Sequence, residues 1–253
     1  MNFRYQTTGQ LKVFNPAPIL KGNLNSTNKA VNTSTASRNR CGASPNVFKI
    51  YQKLYDYYGK QHWWPADSKF EIMIGAILTQ NTSWRNVEKA IENLKQKNLI
   101  NPKKLSKLSI SELSNLIRPS GFYNIKAKRL RSFLNFINTK YSGSIEKMRQ
   151  EKVSILRAQL LSVSGIDEET ADSILLYGLD KPIFMIDAYT RRIFSRHGYF
   201  DAKVRYPSIQ KFFMDNLPKK TKIYNEYHAL LVKLAKDFCQ TKPKCQRCPI
   251  KAL

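Results

Sequence analysis

The stretch over residues 160–176 constrains the fold more than any other part of the chain. Its sequence, LLSVSGIDEETADSILL, predicts an apolar helix up to Val163, a tight turn over residues 164–167 and a second helix with one apolar side. Gly165 can adopt a positive φ at no steric cost, and Asp167 tolerates that region less well. The pattern therefore predicts a helix-hairpin-helix, whose turn amides and second helix N-terminus would bind an anion such as phosphate.

A single carboxylate closes the apolar run that follows this hairpin. Residues 183–186 are all apolar, Asp187 comes directly after them, and Arg191 and Arg192 follow at the start of a basic helix. A carboxylate at such a boundary can be a helix N-cap. Beside a phosphate-binding turn it is also a candidate catalytic group. Spacing alone does not separate the two interpretations, and the hairpin 16 to 22 residues upstream favours the catalytic one.

The charge of the chain indicates a polyanionic partner. The 253 residues carry a formal net charge of +25 and a pI near 10.0, which is more than solubility requires. An AT-rich genome that uses Lys and Asn freely would explain part of this excess. A membrane partner is not expected, because no apolar run approaches the ~20 residues of a spanning helix. Nucleic acid is the favoured partner.

The hydrophobic pattern predicts an all-α protein. No stretch shows the clean alternation of a β-strand. Apolar residues recur at helical spacing in several segments: 47–58, 70–78, 109–117, 125–136, 206–217 and 223–238. Ser109 with Glu112 predicts a capping box. The Lys- and Asn-rich residues 94–107 are predicted to be a connection.

The polar sequence TQNT at 79–82 interrupts an apolar helical pattern. Such a break belongs at a surface or a cleft, where Gln80 and Asn81 could meet bases or the sugar–phosphate chain. The alternative is a helix cap formed by Asn81 or Thr82.

The sequence YNIKAKR at 123–129 opens a basic amphipathic helix that includes Asn124 and Lys126. A charged helix face is usually solvated, and the residues alone leave contact with phosphate open.

These motifs together resemble the endonuclease III superfamily of DNA glycosylases, which has a helix-hairpin-helix, a Gly/Pro-rich loop and an Asp as its signature. The resemblance covers roughly residues 50–253. It rests on the order of the motifs, which is TQNT, YNIKAKR, the hairpin at 162–171, Asp187 and a C-terminal cysteine cluster.

The resemblance implies a two-lobed helical fold with Asp187 in the cleft between the lobes. Residues 70–187 would form a six-helix barrel lobe with the hairpin at 160–178. Residues 45–69 and 188–253 would form the terminal lobe with the cysteine loop. Residues 1–44, which lack Asp and Glu, are predicted to be a disordered basic arm. This arm could be an organellar transit segment, a DNA tether or a passive extension.

The resemblance also implies that the protein binds damaged double-stranded DNA, as a monomer, and removes a flipped base in base excision repair. Asp187 would stabilise the oxocarbenium-like transition state and orient water, and Gln80 would fill the space that the flipped base leaves. The other residues implied to contact DNA are Asn81, Asn124, Lys126, Gly165, Asp167, Arg191 and Arg192. The compartment stays open: cytoplasm or nucleoid in a bacterium, organelle or nucleus in a eukaryote.

Glu169 decides the expected chemistry. It stands where superfamily members with strand-cleaving activity carry the lysine that forms a Schiff base, and a carboxylate cannot form one. We therefore expect base removal by water, with lyase activity absent or weak. Two alternatives stay open. One is a glycosylase/lyase for oxidised pyrimidines that uses another lysine, and the other is a non-catalytic DNA-binding protein.

The three tryptophans, Trp63, Trp64 and Trp84, flank the TQNT sequence. This arrangement resembles the branch of the superfamily that removes 3-methyladenine and related alkylated purines. An N-alkylated purine is cationic and already a good leaving group, so it needs stacking and cation–π contact more than a strong acid. We expect the three tryptophans to form the substrate pocket.

Three of the four cysteines, Cys239, Cys245 and Cys248, cluster near the end of the sequence, and Cys41 stands alone. Clustered cysteines in a basic DNA-binding chain favour thiolates on a metal over disulfides. The resemblance implies a [4Fe–4S] cluster, with zinc or free thiols as alternatives. The fourth cysteine of the family's loop would fall one position beyond Leu253, so we expect either a truncated or a degenerate site.

Overall fold

The computed structural model describes residues 47–251, and the predictions made for residues 1–44 and Cys41 lie outside them. Every regular element in the described part is helical, which confirms the all-α prediction. The helices are α1 Val47–Tyr58, α2 Lys69–Leu78, α3 Trp84–Gln96, α4 Pro102–Ser106, α5 Ile110–Leu116, α6 Tyr123–Tyr141, α7 Ile145–Gln150, α8 Val153–Leu161, α9 Glu168–Ser173, α10 Ala188–Arg196, α11 Tyr206–Asn216 and α12 Thr221–Asp237.

Helix α2 lies at the centre of one group of helices, because all its residues from Phe70 to Leu78 are buried. It packs against α6, α9 and the π-helical turn Ile174–Gly178 that continues α9. Helices α1 and α10 pack against α12, which also contacts the π turn. The active-site candidates therefore come from elements that meet around α12 and the π turn. The predicted lobe boundaries at residues 69/70 and 187/188 stay a prediction.

Local sequence signals explain most of the helix boundaries. Ser109 and Glu112 form the predicted capping box at the start of α5. The prediction for residues 94–107 was wrong in part, since α3 extends to Gln96 and the short α4 follows. Asn101 caps α4 by accepting hydrogen bonds from the backbone N–H groups of residues 103 and 104, and proline at the first helical position favours this start.

A buried carboxylate joins the hairpin to the segment that carries Asp187. Asp172 on α9 is fully buried and accepts two hydrogen bonds from the Arg157 guanidinium, at 2.7 and 3.0 Å. It also accepts from the Tyr206 hydroxyl at 2.8 Å and the Gln210 amide at 2.7 Å. The same tyrosine oxygen accepts from the backbone N–H of Ile186 at 3.1 Å. This network fixes the backbone directly before Asp187.

Within residues 47–251, none of the helices has the length and apolarity needed to cross a membrane.

Candidate active site

Asp187 is both a helix cap and a nearly buried carboxylate. Its Oδ1 accepts a hydrogen bond from the backbone N–H of Thr190 at 2.7 Å, which starts α10. Its Oδ2 lies 3.3 Å from Nε2 of His228 on α12, and the side chain is 10% exposed. The two interpretations of this residue are therefore compatible, since one oxygen caps the helix while the other faces a buried imidazole.

The surroundings of Asp187 favour its ionised form. Burial raises the pKa of this carboxyl, but His228 and the Thr190 hydrogen bonds outweigh burial and hold the pKa below its usual value. Asp187 is therefore ionised at neutral pH, as a group must be if it is to stabilise positive charge on a sugar.

His228 and Tyr177 were not singled out from the sequence. His228 is buried on α12, and its Nδ1 lies 2.5 Å from the hydroxyl of Tyr177, which is buried in the π turn. The only sequence signal was a lone histidine inside the apolar part of α12, and such a residue is commonly a satisfied core group. Its position 3.3 Å from Asp187 was not foreseeable, because α10 and α12 are far apart in the sequence.

The three tryptophans form one half-buried aromatic cluster. The Trp64 ring lies at the centre, with centroid distances of 5.0 Å to Trp84 and 5.9 Å to Trp63. Trp64 also contacts the ring of Tyr177 at 5.4 Å, so the cluster is continuous with the His228–Asp187 pair. Gly75 on α2 allows this approach, since a Cβ there would lie 3.2 Å from the Trp64 ring.

Polar contacts hold the loop that carries Trp63 and Trp64. Before them, the backbone N–H of Gln61 donates to the carboxylate of Glu226 on α12 at 2.6 Å. After them, Lys95 on α3 pairs with Asp67 and with the buried Glu71, each at 2.8 Å. The loop is thus fastened at both ends to different helices, which gives the aromatic cluster a defined position.

The hairpin turn is as predicted at Gly165 but not at Asp167. Gly165 has a φ of +86°, and a Cβ there would collide with the side chain of Arg129. Both the backbone angle and the lack of space therefore favour glycine. Asp167 has a φ of −91° and caps α9 by accepting from the Thr170 N–H at 2.8 Å. Its carboxylate thus uses one of the amides that a phosphate would otherwise meet, and direct phosphate binding by this residue is not favoured.

Gln80 lies against the hairpin. Its amide donates to the Gly165 carbonyl at 3.0 Å and to the Thr170 hydroxyl at 2.8 Å, and its carbonyl oxygen accepts from Arg129. The wedge role that the resemblance implies would require this side chain to leave those partners. Asn81, next to it, is exposed and has a φ of +52°.

Lys126 departs from the prediction of phosphate contact. It is 1% exposed, and its ammonium donates to the carbonyls of Leu78 at 2.8 Å and Ser120 at 2.7 Å. Burial, with a smaller effect of nearby Arg129, lowers the pKa of this lysine to about 8. Lys126 falls on the core side of α6 next to Ala127, and it joins α2 to the turn before α6 instead of facing solvent.

The turn before α6 exposes a residue that the sequence interpretation missed. Phe122 is 66% exposed with a φ of +47°. Asn124, two residues later, is also exposed and accepts from the Ser114 hydroxyl at 2.7 Å. An exposed aromatic side chain on a backbone that L-residues rarely adopt is a candidate DNA contact. The signal that could have found it was an apolar residue inside a polar turn.

Arg191 and Arg192 are partly exposed and partly used by the protein itself. Arg191 donates to the carbonyls of Ala202 and Val204. Arg192 donates to the carbonyl of Cys239 at 2.8 Å and lies over the ring of Tyr189. The two guanidiniums brace the surrounding loops, and their remaining donors are available to a phosphate.

Glu169 lies near Asp187 at the start of α9. Partial removal from water, and then the carboxylates of Asp187 and Asp167, raise the pKa of the Glu169 carboxyl. A larger share of Glu169 is therefore protonated at neutral pH than of an ordinary glutamate.

The cysteine loop does not fit a metal site as it is placed. Cys239 is buried and its sulfur accepts from Arg196 at 3.4 Å, whereas Cys245 is exposed. In the described part of the chain, no three His, Cys, Asp or Glu side chains are grouped so that they could hold a metal ion. Cys239, Cys245 and Cys248 thus do not meet the requirement of the [4Fe–4S] site that the resemblance implies.

Known proteins resemble this chain in sequence and in fold. Residues 74–219 match the HhH-GPD superfamily of base excision DNA repair proteins. A protein of Methanocaldococcus jannaschii, provisionally named a DNA repair glycosylase, is 52% identical over 206 residues, which cover 81% of this chain and 94% of that protein. The H. pylori 3-methyladenine DNA glycosylase bound to 1,N6-ethenoadenine has a TM-score of 0.66 and 29% identity, covering 75% of this chain and 96% of that one. A non-covalent endonuclease III–DNA complex has a TM-score of 0.69 at 20% identity, covering 80% and 91%, and shares the fold.

Proposed function

We propose that this chain, which belongs to the HhH-GPD superfamily of base excision DNA repair proteins, removes alkylated purines such as 3-methyladenine from DNA by hydrolysis alone. The family and the relatives make it a DNA N-glycosylase of base excision repair, with DNA as its partner. The proposal concerns the damaged base and the absence of strand cleavage.

The observation that carries the proposal is the aromatic cluster joined to a buried carboxylate. Trp63, Trp64 and Trp84 meet in one cluster that reaches Asp187 through Tyr177 and His228. An N-alkylated purine carries a positive charge that a tryptophan face attracts, worth about 0.5–2 kcal/mol per contact. The similarity to the H. pylori 3-methyladenine DNA glycosylase supports the same substrate class.

Asp187 would act on the sugar. As the N-glycosidic bond breaks, its electron pair leaves with the cationic base, which becomes neutral, and positive charge develops on the sugar carbon. The ionised Asp187 stabilises that charge, water adds to the carbon, and the proton of the water is released. An alkylated purine leaves without prior protonation, so this sequence of events needs no strong general acid.

Glu169 supports hydrolysis without strand cleavage. The residue near Asp187 at the start of the second hairpin helix is a carboxyl group, and a carboxyl group offers no nucleophilic amine to the sugar. The expected product is an abasic site in an intact strand.

The DNA-facing edge would be formed by three neighbouring elements: the turn at Gly165, the TQNT loop and the turn before α6. Gln80 would enter the duplex after leaving Gly165 and Thr170, with Asn81 and Asn124 alongside it. Phosphates would meet the free donors of Arg191 and Arg192. Exchange of Gln80 for Ala would test the wedge by lowering base release.

The first experiment incubates methylated duplex DNA with the protein and scores released base and strand breaks separately. The proposal predicts free 3-methyladenine, with breaks appearing only after alkali. Breaks that accompany base release would contradict the hydrolytic mechanism. Release of oxidised pyrimidines but not of alkylated purines would contradict the substrate class.

A second experiment exchanges Glu169 for Lys, which places an amine beside Asp187. Borohydride should then trap a covalent protein–DNA adduct. Glu168→Lys is the matched control, because Glu168 points toward Arg157 and not toward Asp187. Trapping by both variants, or by the unmodified chain, would show that the position of Glu169 does not decide the chemistry.

A further inference from the structure

We infer that His228 and Tyr177 form a positioning relay, in which the imidazole fixes the second oxygen of the Asp187 carboxylate and the tyrosine fixes the imidazole. The inference rests on the proposed catalytic role of Asp187. It adds two residues that would act through Asp187 without touching the substrate sugar.

The relay consists of two short separations in a dry part of the molecule. His228 Nε2 lies 3.3 Å from Asp187 Oδ2, and His228 Nδ1 lies 2.5 Å from the Tyr177 hydroxyl. All three side chains are buried or nearly so. Within residues 47–251, Nε2 makes no hydrogen bond of good geometry, so Asp187 is the acceptor available to it.

The chemistry of the three groups fixes the position of each hydrogen. The ionised Asp187 can only accept, so Nε2 carries hydrogen and donates. Burial keeps Tyr177 a neutral hydroxyl, since the pKa of its phenol is well above the usual value. A buried hydroxyl needs an acceptor, and Nδ1 supplies one when it carries no hydrogen. An imidazole with hydrogen on Nε2 can donate to Asp187, while its Nδ1 faces the Tyr177 hydroxyl.

The second oxygen of Asp187 needs such a partner. The cap fixes Oδ1 through the Thr190 N–H and does not hold Oδ2. His228 holds this second oxygen. Catalytic hydrogen bonds are commonly long or poorly aligned without substrate and tighten in the complex, and the 3.3 Å contact between Nε2 and Oδ2 is of this kind.

The relay also connects the carboxylate to the aromatic cluster. The ring of Tyr177 contacts Trp64 at a centroid distance of 5.4 Å, while its hydroxyl holds His228. A base stacked on the tryptophan cluster would therefore be one ring away from the side chain that orients the imidazole. This gives Tyr177 two separable roles, one through its ring and one through its hydroxyl.

Other ionisable groups also influence Asp187. Glu169 on α9, Tyr189 on α10 and Lys236 on α12 each interact with its charge. The variants below leave these three groups unchanged, so a change in pH dependence reports on His228.

The test measures single-turnover base release against pH for four variants of the full chain. His228→Leu removes the donor, and His228→Gln keeps an N–H that can reach Asp187. Tyr177→Phe removes only the hydroxyl. Tyr227→Phe is the matched control, because this neighbouring residue on α12 uses its hydroxyl to bind the Val47 carbonyl at 2.9 Å. Affinity for abasic-site DNA is measured for each variant.

His228→Leu should slow base release about 10- to 100-fold, the effect of losing one hydrogen bond to a charged group, while the affinity for abasic-site DNA changes less than about twofold. His228 lowers the pKa of Asp187, so its removal raises that pKa. Activity that requires ionised Asp187 should then be lost at a higher pH as the solution is acidified. His228→Gln should recover most of the rate, and Tyr177→Phe should lie between Tyr227→Phe and His228→Leu.

The relay would be overturned if the His228 and Tyr177 variants release base at the unmodified rate and lose activity at the same acidic pH as the unmodified chain. Equal losses in Tyr177→Phe and Tyr227→Phe would also overturn it, because they would indicate a general packing effect. If His228→Leu does not fold, the rates and pH profiles of His228→Gln and Tyr177→Phe test the relay instead. Failure of the proposed function looks different: the unmodified chain would release no alkylated purine, or Asp187→Asn would match it.

Discussion

Two aspartates in this molecule start helices in almost the same way, yet only one of them is nearly buried beside a histidine. Asp167 at α9 has φ −91° and ψ 179°, and Asp187 at α10 has φ −107° and ψ 178°. Each accepts a hydrogen bond from the backbone N–H three residues later, at 2.8 and 2.7 Å. Local sequence therefore gives both residues the same cap.

The difference lies in what surrounds the second carboxylate oxygen. Asp167 is exposed in the hairpin turn. Asp187 is nearly buried, and its second oxygen faces His228, which in turn meets Tyr177. Burial strengthens electrostatic interactions, and a buried partner keeps the charged form stable. A cap becomes a candidate catalytic group when tertiary packing adds burial and a second partner.

The largest expected effect separates the two caps directly. Asparagine caps a helix about as well as aspartate, so Asp187→Asn and Asp167→Asn should both keep their helix starts. Asp187→Asn should slow single-turnover base release by about 10³-fold, because it removes the charge that stabilises the transition state. Asp167→Asn should change the rate less than about threefold. Equal losses in the two variants would show that capping, and not charge, is what matters.

A third carboxylate, Asp172, should affect the stability of the protein instead of its chemistry. Asp172 accepts from Arg157, Tyr206 and Gln210 and is fully buried, so neither of its oxygens is accessible to a substrate. Asp172→Asn should lower the free energy of unfolding by about 3 kcal/mol, because the partly buried Arg157 guanidinium loses its buried partner and keeps only the longer contact with Glu168.

Urea unfolding measures the Asp172 effect. The matched control is Asp180→Asn, which removes partly exposed ion pairs with Lys69 and Arg149 and should cost at most about 1 kcal/mol. Similar losses in the two variants would contradict the structural role of Asp172.

Replacement of a tryptophan in the aromatic cluster should have a moderate effect on kcat/KM, and the size of this effect should depend on the charge of the substrate base. Trp64→Leu keeps apolar bulk but removes the π face, and should lower kcat/KM for a cationic alkylated purine by about tenfold. An uncharged damaged base of similar shape should lose less. Equal losses for both bases would indicate that Trp64 acts by packing alone. Thermal unfolding of the variant provides the control for folding.

The smallest effect on base release is expected at Asp167, the cap of α9. Asp167→Ala removes the side chain that caps α9 and should lower the free energy of unfolding by about 1 kcal/mol. Base release should stay within about twofold, since Asp167 lies outside the relay. A rate loss much larger than the loss of stability would place the hairpin carboxylate in the reaction.

Periodic and local features of the fold could be predicted from the sequence. The helices at 47–58 and 70–78 follow from apolar spacing, and the Ser109–Glu112 capping box follows from two residues. The turn at Gly165 follows from the freedom of glycine. Each of these depends on residues that are close together in the chain.

Features that depend on distant residues could not be predicted. Lys126 was expected at the surface, but its ammonium is buried, where it donates to one carbonyl at the end of α2 and to another in the turn before α6. His228 lies 41 residues after Asp187 in the sequence, and only the packing of α10 on α12 brings them together. The link from Trp64 through Tyr177 to His228 likewise joins three elements that no local pattern connects.

The central claim is that a buried, charged Asp187 and an aromatic cluster together release cationic purines by hydrolysis. The most direct test compares single-turnover excision from two duplexes of the same sequence, one carrying 3-methyladenine and the other an oxidised pyrimidine. The account predicts release of the alkylated purine at least about 10²-fold faster, with both strands intact until alkali is added. Faster release of the oxidised pyrimidine, with strand breaks at the same rate, would contradict it.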